Sequence, residues 1–313
     1  MFKVEILQIR NWFFEKGQGT TADFLRIGFG LLYLYMLWDI YPHLDLLFGH
    51  QGLFGTLSPE YIDRHHILHL LYKYDSPLQL QIWFWISVVL CLFTILGIFT
   101  KVSLILTYFS LMLFQERDPW MLFGADKLMK QAGVWLLFLN YSSVFSLSRF
   151  FFKKTGKTKR SEPIPLWPVK AFQIQVALVY FASFIAKAST DLWQDGSALF
   201  YAIQLRDCGH NFVPWILEQK LLLTFMNYMA LTFEGLFLFL IFWKPTRWIA
   251  LLSGVAFHLG IDLLMHIRFF SLTMIWSYIA FLYPTEIKRV LYCVRSYVIL
   301  AKSRIIDGTA KIF

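Results

Sequence analysis

Charge is scarce in this chain: Lys, Arg, Asp and Glu together make up 16% of its 313 residues, against roughly a quarter in soluble globular domains. A water-soluble fold is excluded by what replaces the charge, a 58% hydrophobic and 19% aromatic content with a mean hydropathy of +0.54. Cysteine is scarcer still. Cys91, Cys208 and Cys293 are the only three, and none stands in a C-x-x-C pair or at metal-ligand spacing, so no disulfide framework, dithiol centre or metal site is expected. There is no G-x-S-x-G elbow, no H-E-x-x-H, no internal repeat at a fixed period and no low-complexity tract. The N-terminus lacks the basic, then apolar, then small-residue order of a cleaved signal, so the first span is expected to target the protein itself.

What is present is a series of apolar windows. Stretches of about 20 residues predict an all-α polytopic helical bundle with spans near 22–41, 79–99, 102–115, 129–148, 168–188, 221–243, 247–266 and 269–284. The third is short and ends in the polar Gln115-Glu116-Arg117-Asp118. It is read either as a re-entrant piece or as a helix whose polar end is buried in protein.

The formal charge of +9 would suggest nucleic acid in a soluble protein, but the basic residues gather between apolar runs, and no nucleic-acid partner is expected. Arg149, Lys153, Lys154, Lys157, Lys159 and Arg160, then Lys244 and Arg247, then Lys288, Arg289, Arg295, Lys302 and Arg304 fall on one side of an eight-span chain. By the positive-inside rule both termini are cytoplasmic, and the pattern favours a bacterial-type inner membrane over an endomembrane. Residues 1–21 are expected to form an interfacial helix, 22–284 the membrane domain and 285–313 a basic cytoplasmic tail. The outer face then owns the loops 42–78, 116–128 and 189–220, of which the last two are expected to form a polar cavity closed below by the fifth to seventh spans.

Ionisable residues inside spans are costly and therefore candidates for function. Arg26 and Asp39 flank the first span, and Glu234 lies within the sixth. His258, Asp262 and His266 recur at four-residue spacing, on one helix face. They could form a proton path or half a metal site, or each could hydrogen-bond a neighbouring span. Asp63-Arg64-His65-His66-Ile-Leu-His69 is a lone histidine box, on the wrong side for a di-iron hydroxylase, and reads as an interfacial helix. The Gly-rich Phe48 to Gly55 loop has neither the strand nor the lysine of a phosphate cradle. Lys187 closes the apolar run from Ala177 and precedes Asp191, Trp193 and Gly196. It is either an ammonium reaching for water or a base in an apolar setting.

Three blocks give the chain a wider likeness: Val179-Tyr180-Phe181 to Lys187 with Asp191-Leu-Trp193 and Gly196; Glu116-Arg117-Asp118-Pro119-Trp120 to Gly124; and Phe257-His258 followed by Phe270-Ser271-Leu-Thr-Met274. In these the sequence resembles the membrane domain of the vitamin K-dependent gamma-carboxylase and the wider family of HTTM, or horizontally transferred transmembrane, domains, over about residues 20–284. The resemblance implies Lys187 as the catalytic base and a reduced, vitamin K-like quinone as cofactor. The binding candidates are Arg117, Asp118, Trp120, Asp191, Trp193, Glu234, His258 and Asp262. The chain departs from the carboxylase in having Phe123 where that enzyme has a catalytically important histidine, Ala186 in place of a second lysine, and one extra residue between Lys187 and Trp193. It also ends before the large β-rich region that handles propeptide and glutamate, so glutamate carboxylation is not expected. Two functions are carried forward: a lysine-base enzyme acting on a quinone-like or lipid ligand at the outer face, and a non-catalytic membrane protein that binds membrane lipid or a partner peptide.

Overall fold

A computed structural model describes residues 2–49, 52, 76–117, 122–141, 145–148, 163–205, 214–293 and 296–297. It is an all-α bundle. Its helices are α1 (Phe2–Phe13), α2 (Thr20–Ile40), α3 (Leu44–Phe48), α4 (Pro77–Leu96), α5 (Thr100–Arg117), α6 (Gly124–Phe138), α7 (Trp167–Ala188), α8 (Asp191–Gln194), α9 (Ala198–Ala202), α10 (Lys220–Phe242), α11 (Arg247–Met265) and α12 (Arg268–Ser277). A 3-10 turn Tyr278–Phe281 continues α12, and residues 284–293 are helical again. Among the described residues five helical segments are long and apolar enough to cross a membrane: Thr20–Phe48, α4, α7, α10 and α11.

Local chemistry sets most boundaries. Ser76 caps α4 by accepting from the Gln79 N–H, and Gly97, at φ +68°, ends it in the left-handed region. The segment expected at 102–115 continues as helix to Arg117, because its polar end is satisfied inside the protein: Gln115 donates to the Asp126 carbonyl at 3.2 Å and Glu116 pairs with Lys130. The expected 129–148 span is displaced. Its helix starts earlier, at Gly124, where the Asp126 carboxylate accepts from the Phe123 N–H at 3.0 Å, and it stops at Phe138. Residues 145–148 instead dock on the α4–α5 turn, where the Leu147 N–H bonds to the Leu96 carbonyl at 2.9 Å and the Ser148 hydroxyl to the Gly97 carbonyl at 2.9 Å. The last expected span, 269–284, is α12 plus its 3-10 turn.

The bundle inverts the soluble pattern. Ile82, Trp85, Ile86, Val89, Phe225, Phe239, Ile249 and Leu252 point outward, while polar side chains are turned in, as hydrocarbon requires. The Ser110 hydroxyl meets those of Tyr33 at 2.8 Å and Ser87 at 2.5 Å, and Thr94 meets Thr107 at 2.8 Å, joining α2, α4 and α5. Arg26 is fully buried, 0% exposed. Its guanidinium donates to the Thr94 and Ile95 carbonyls at the end of α4 and, at 2.8 Å, to the Phe145 carbonyl, with Asp23 at 3.9 Å.

At the N-terminus, α1 docks through Trp12, whose ring lies 5.8 Å from that of Phe242 and 4.8 Å from the Lys170 ammonium. Lys170 also pairs with Glu15 at 3.3 Å. A two-residue antiparallel pairing, Lys16 opposite Pro165 and Gly17 opposite Ile164, holds the chain beside it, a feature with no signal in the sequence pattern.

Replacing Arg26 by Ala removes a donor from three carbonyls, of which that of Thr94 keeps the Gly97 N–H at 3.3 Å, so the variant is expected to unfold about 3 kcal/mol more easily in detergent. Arg26→Lys should recover only part of this, since an ammonium cannot fork to several acceptors. Chemical denaturation of both variants against the parent checks it; equal stability for Arg26→Ala would refute the role.

Candidate functional site

α7 and α10 pack together along much of their length, and their contact faces carry the polar residues. On α10, Asn227, Glu234, Phe237 and Ile241 are buried at spacings of three, four and seven, which places them on one face. On α7, Tyr180 is buried and Lys187 follows seven residues later, two turns along the same face.

There the Lys187 ammonium donates to Glu234 Oε1 at 2.5 Å. The glutamate side chain is 5% exposed and the lysine 26%, so the pair is screened little on one side and opens toward the helix end on the other. The ammonium also lies 4.7 Å from the ring centroid of Trp193, within cation-π range. The Trp193 carbonyl in turn accepts from the Asn227 amide at 3.0 Å. Gly196, at φ +81°, makes the turn that keeps this segment against α10, and the Tyr228 hydroxyl donates to the Gln194 carbonyl at 2.8 Å. Further along, the Ser197 hydroxyl at 2.6 Å and its N–H at 2.8 Å hold the exposed Asp195 carboxyl below its usual range.

Deeper in the bundle a second polar group adjoins the pair. The Tyr180 hydroxyl is shared between His258 Nε2, at 2.5 Å, and the Tyr278 hydroxyl. The rings of Phe233, Phe237, Phe257 and Phe270 surround these three residues. Three buried atoms of the two groups have no hydrogen-bond partner among the described residues: Glu234 Oε2, Asn227 Oδ1 and His258 Nδ1. Orphaned buried polar atoms are uncommon and call for an explanation such as a ligand or an ordered water.

The structure brings Lys187, Trp193 and Glu234 into contact and sets His258 next to them through Tyr180. It separates the other candidates. Asp262 pairs with Arg268 at 3.5 Å, and His266 is the left-handed residue, φ +54°, that ends α11, so the expected His258, Asp262, His266 ladder breaks at its third rung. Asp191 is exposed at the start of α8. Arg117 is the last residue of α5, and Asp118 and Trp120, like the His65, His66, His69 box, lie outside the described residues. Phe123 is exposed ahead of α6. Asn227, Tyr180 and Tyr278 were missed as site residues. Asn227 could have been found, lying one heptad before Glu234 on the same apolar helix; Tyr278 had no signal.

The expected polar cavity has a different form. A groove of about 320 Å³ runs along the seam of α10 and α11, lined by Met226, Met229, Phe233, Phe257 and Met265 among others. Neither Lys187, Glu234 nor His258 lines it; Phe233 and Phe257, 5.0 Å apart, separate it from them. It is apolar because it lies on the outward side of the seam, away from the faces that carry Glu234 and His258.

Close packing holds the tyrosines in place. A Cβ on Gly254 would overlap the Tyr278 ring and hydroxyl, so Gly254→Ala is expected to push Tyr278 off Tyr180 and cost about 1 to 3 kcal/mol. Melting of the variant beside Tyr278→Phe, which removes the hydroxyl without the overlap, separates the two effects; an unchanged melting curve for Gly254→Ala would show the seam to be slack.

Comparison with curated proteins and with solved structures yields no significant match. A family model does match, the HTTM domain, over residues 14–285. That span takes in every helix of the bundle from α2 to α12, so this multi-pass membrane protein belongs to the HTTM domain family.

Proposed function

We propose that the chain crosses the membrane eight times with both termini cytoplasmic, and that the pair formed by Lys187 at the outer end of α7 and Glu234 within α10 is a proton-transfer site for a quinone-like or lipid ligand. The topology is supported by the basic segments described above and by the eight apolar segments, each of which contains a helix. A bacterial-type inner membrane fits the single-sided charge. The observation that carries the activity is the half-committed glutamate: one carboxylate oxygen holds the lysine and the other, buried, has no partner among the described residues.

A lysine can act as a base only after giving up a proton. Glu234 is the acceptor in place: a proton passing from Nζ to the carboxylate leaves a neutral amine beside a carboxylic acid. The amine lone pair then takes a proton from an acidic group of the ligand, restoring the ammonium, with the Trp193 face stabilising the cation so formed. Asn227 Oδ1 and Glu234 Oε2 are acceptors for ligand hydroxyls, and the α10–α11 groove offers an apolar approach from the bilayer. These features fit a reduced quinone, which when bound supplies acidic ring hydroxyls and reducing equivalents. Glutamate carboxylation is left out, because Phe123 borders a different cavity from the Lys187 cluster.

The second reading is a non-catalytic site for a lipid or a partner peptide, and the completed ion pair favours it: Lys187 and Glu234 as they stand are two fixed charges in place for a polar headgroup or side chain. Lys187→Arg keeps the charge and cannot serve as a base near neutral pH. With protein in lipid nanodiscs, a reduced naphthoquinone as probe and dissolved oxygen as the oxidant, binding is followed by intrinsic tryptophan fluorescence and oxidation of the deprotonated quinol by absorbance. The expected result is retained binding with turnover lowered about a hundredfold or more. Turnover kept at the parental rate would sink proton transfer, and binding without turnover in the parent itself would favour the second reading.

Orientation is checked on a chain freed of its native cysteines. Asp191→Cys should react with a membrane-impermeant maleimide added outside intact cells, and Thr155→Cys only after permeabilisation. The opposite pattern would invert the topology.

A further inference from the structure

Away from the Lys187 cluster, a cavity of about 190 Å³ lies among the ends of α2, α5, α6 and α12, and its chemistry is one-sided. Its walls include the rings of Tyr35, Phe114, Phe123 and Phe269, and its polar lining consists of Asp39, Gln115 and Asp126. Gln115 is 4% exposed. Its amide nitrogen donates to the Asp126 carbonyl at 3.2 Å, which fixes the amide orientation and leaves Oε1 as a buried acceptor with no partner among the described residues. Asp126 is also buried, and Asp39 stands exposed at the rim. The lining thus presents two carboxylates and an orphaned amide oxygen within an aromatic wall, a setting that favours a cation carrying N–H donors. A metal ion is disfavoured, since no three His, Cys, Asp or Glu side chains gather among the described residues.

A cation adjoins the cavity's wall through the chain. Arg268, half-exposed and paired through Nε with Asp262 at 3.5 Å, immediately precedes the lining residue Phe269. The following residue, Phe269, stacks on the Tyr35 ring at 6.0 Å. Acceptors in a small aromatic pocket with a guanidinium at its edge match a zwitterion whose ammonium and phosphate are a few atoms apart. We propose that this cavity binds a phosphoethanolamine group, with the ammonium on Gln115 Oε1 and the two aspartates and the phosphate at Arg268. The volume suits a headgroup and is too small for a drug-sized ligand. A quaternary ammonium would fit the aromatic wall but leave the Gln115 acceptor unmet, so the site discriminates ethanolamine from choline.

The test is native mass spectrometry of the full chain in detergent micelles doped with phosphatidylethanolamine or phosphatidylcholine, with soluble O-phosphoethanolamine as competitor. Phosphatidylethanolamine should be retained about tenfold over phosphatidylcholine. Asp39→Asn, an exposed change that leaves the fold alone, and Gln115→Leu should each bring that ratio toward one, whereas Arg268→Gln should weaken both lipids alike. Displacement by the soluble compound at concentrations matching the lipid would assign the site to the free solute, and its failure to displace would assign it to the lipid. Equal retention of the two lipids in the parent, or a preference unchanged in both Asp39→Asn and Gln115→Leu, would overturn the proposal.

Discussion

Inside hydrocarbon a polar group has no water to fall back on, and the fold follows from how each one is answered within the protein. Arg26 is the plainest instance. Fully buried, it donates to the Thr94 and Ile95 carbonyls in the last turn of α4 and adds that of Phe145, so one side chain joins a helix terminus to a loop. The hydroxyl contacts of Tyr33, Ser87, Ser110, Thr94 and Thr107 do the same on a smaller scale between neighbouring helices. With the polar groups turned inward, leucine, phenylalanine and tryptophan can face lipid without cost.

Against that background the Lys187 region gathers several incomplete answers in one place. Lys187 and Glu234 satisfy each other, Trp193 covers the ammonium and Asn227 holds Trp193, yet Glu234, Asn227 and His258 each keep one buried atom without a partner among the described residues. Elsewhere Arg247, which is also buried, is met by the Phe281 carbonyl and Glu286 and lies against the Tyr283 ring, with only its Nε left without a partner among the described residues. Leaving polar capacity open in a low-dielectric setting is costly for stability, which is why such places concentrate function.

Much of this could be read before any coordinates. Helices α2, α4, α7, α10 and α11 coincide within a few residues with long apolar windows, because twenty residues of hydrocarbon leave a chain little choice but helix. The errors fall where tertiary contacts override composition. At α6 the apolar run continues past Phe138 while the helix does not, since Ser146 and Ser148 find better partners at the Gly97 carbonyl and Leu147 at that of Leu96. The short 102–115 window left a re-entrant piece and a helix with a buried polar end both open, and the contacts of Gln115 with Asp126 and of Glu116 with Lys130 go with the helix. For the site, Lys187, Glu234, Trp193 and His258 stood out as charge or aromatic at the wrong depth. Tyr278 did not, because its position depends on the gap left by Gly254 on another helix, which no single-sequence pattern records.

The corner between α11 and α12 ties two regions together. α11 ends in the left-handed His266, α12 starts two residues later, and Asp262 reaches across the corner to Arg268. His258, on the α11 arm, meets Tyr180, and Phe269, at the start of the α12 arm, stacks on Tyr35. The two contacts therefore share one support, and the angle of the corner sets both.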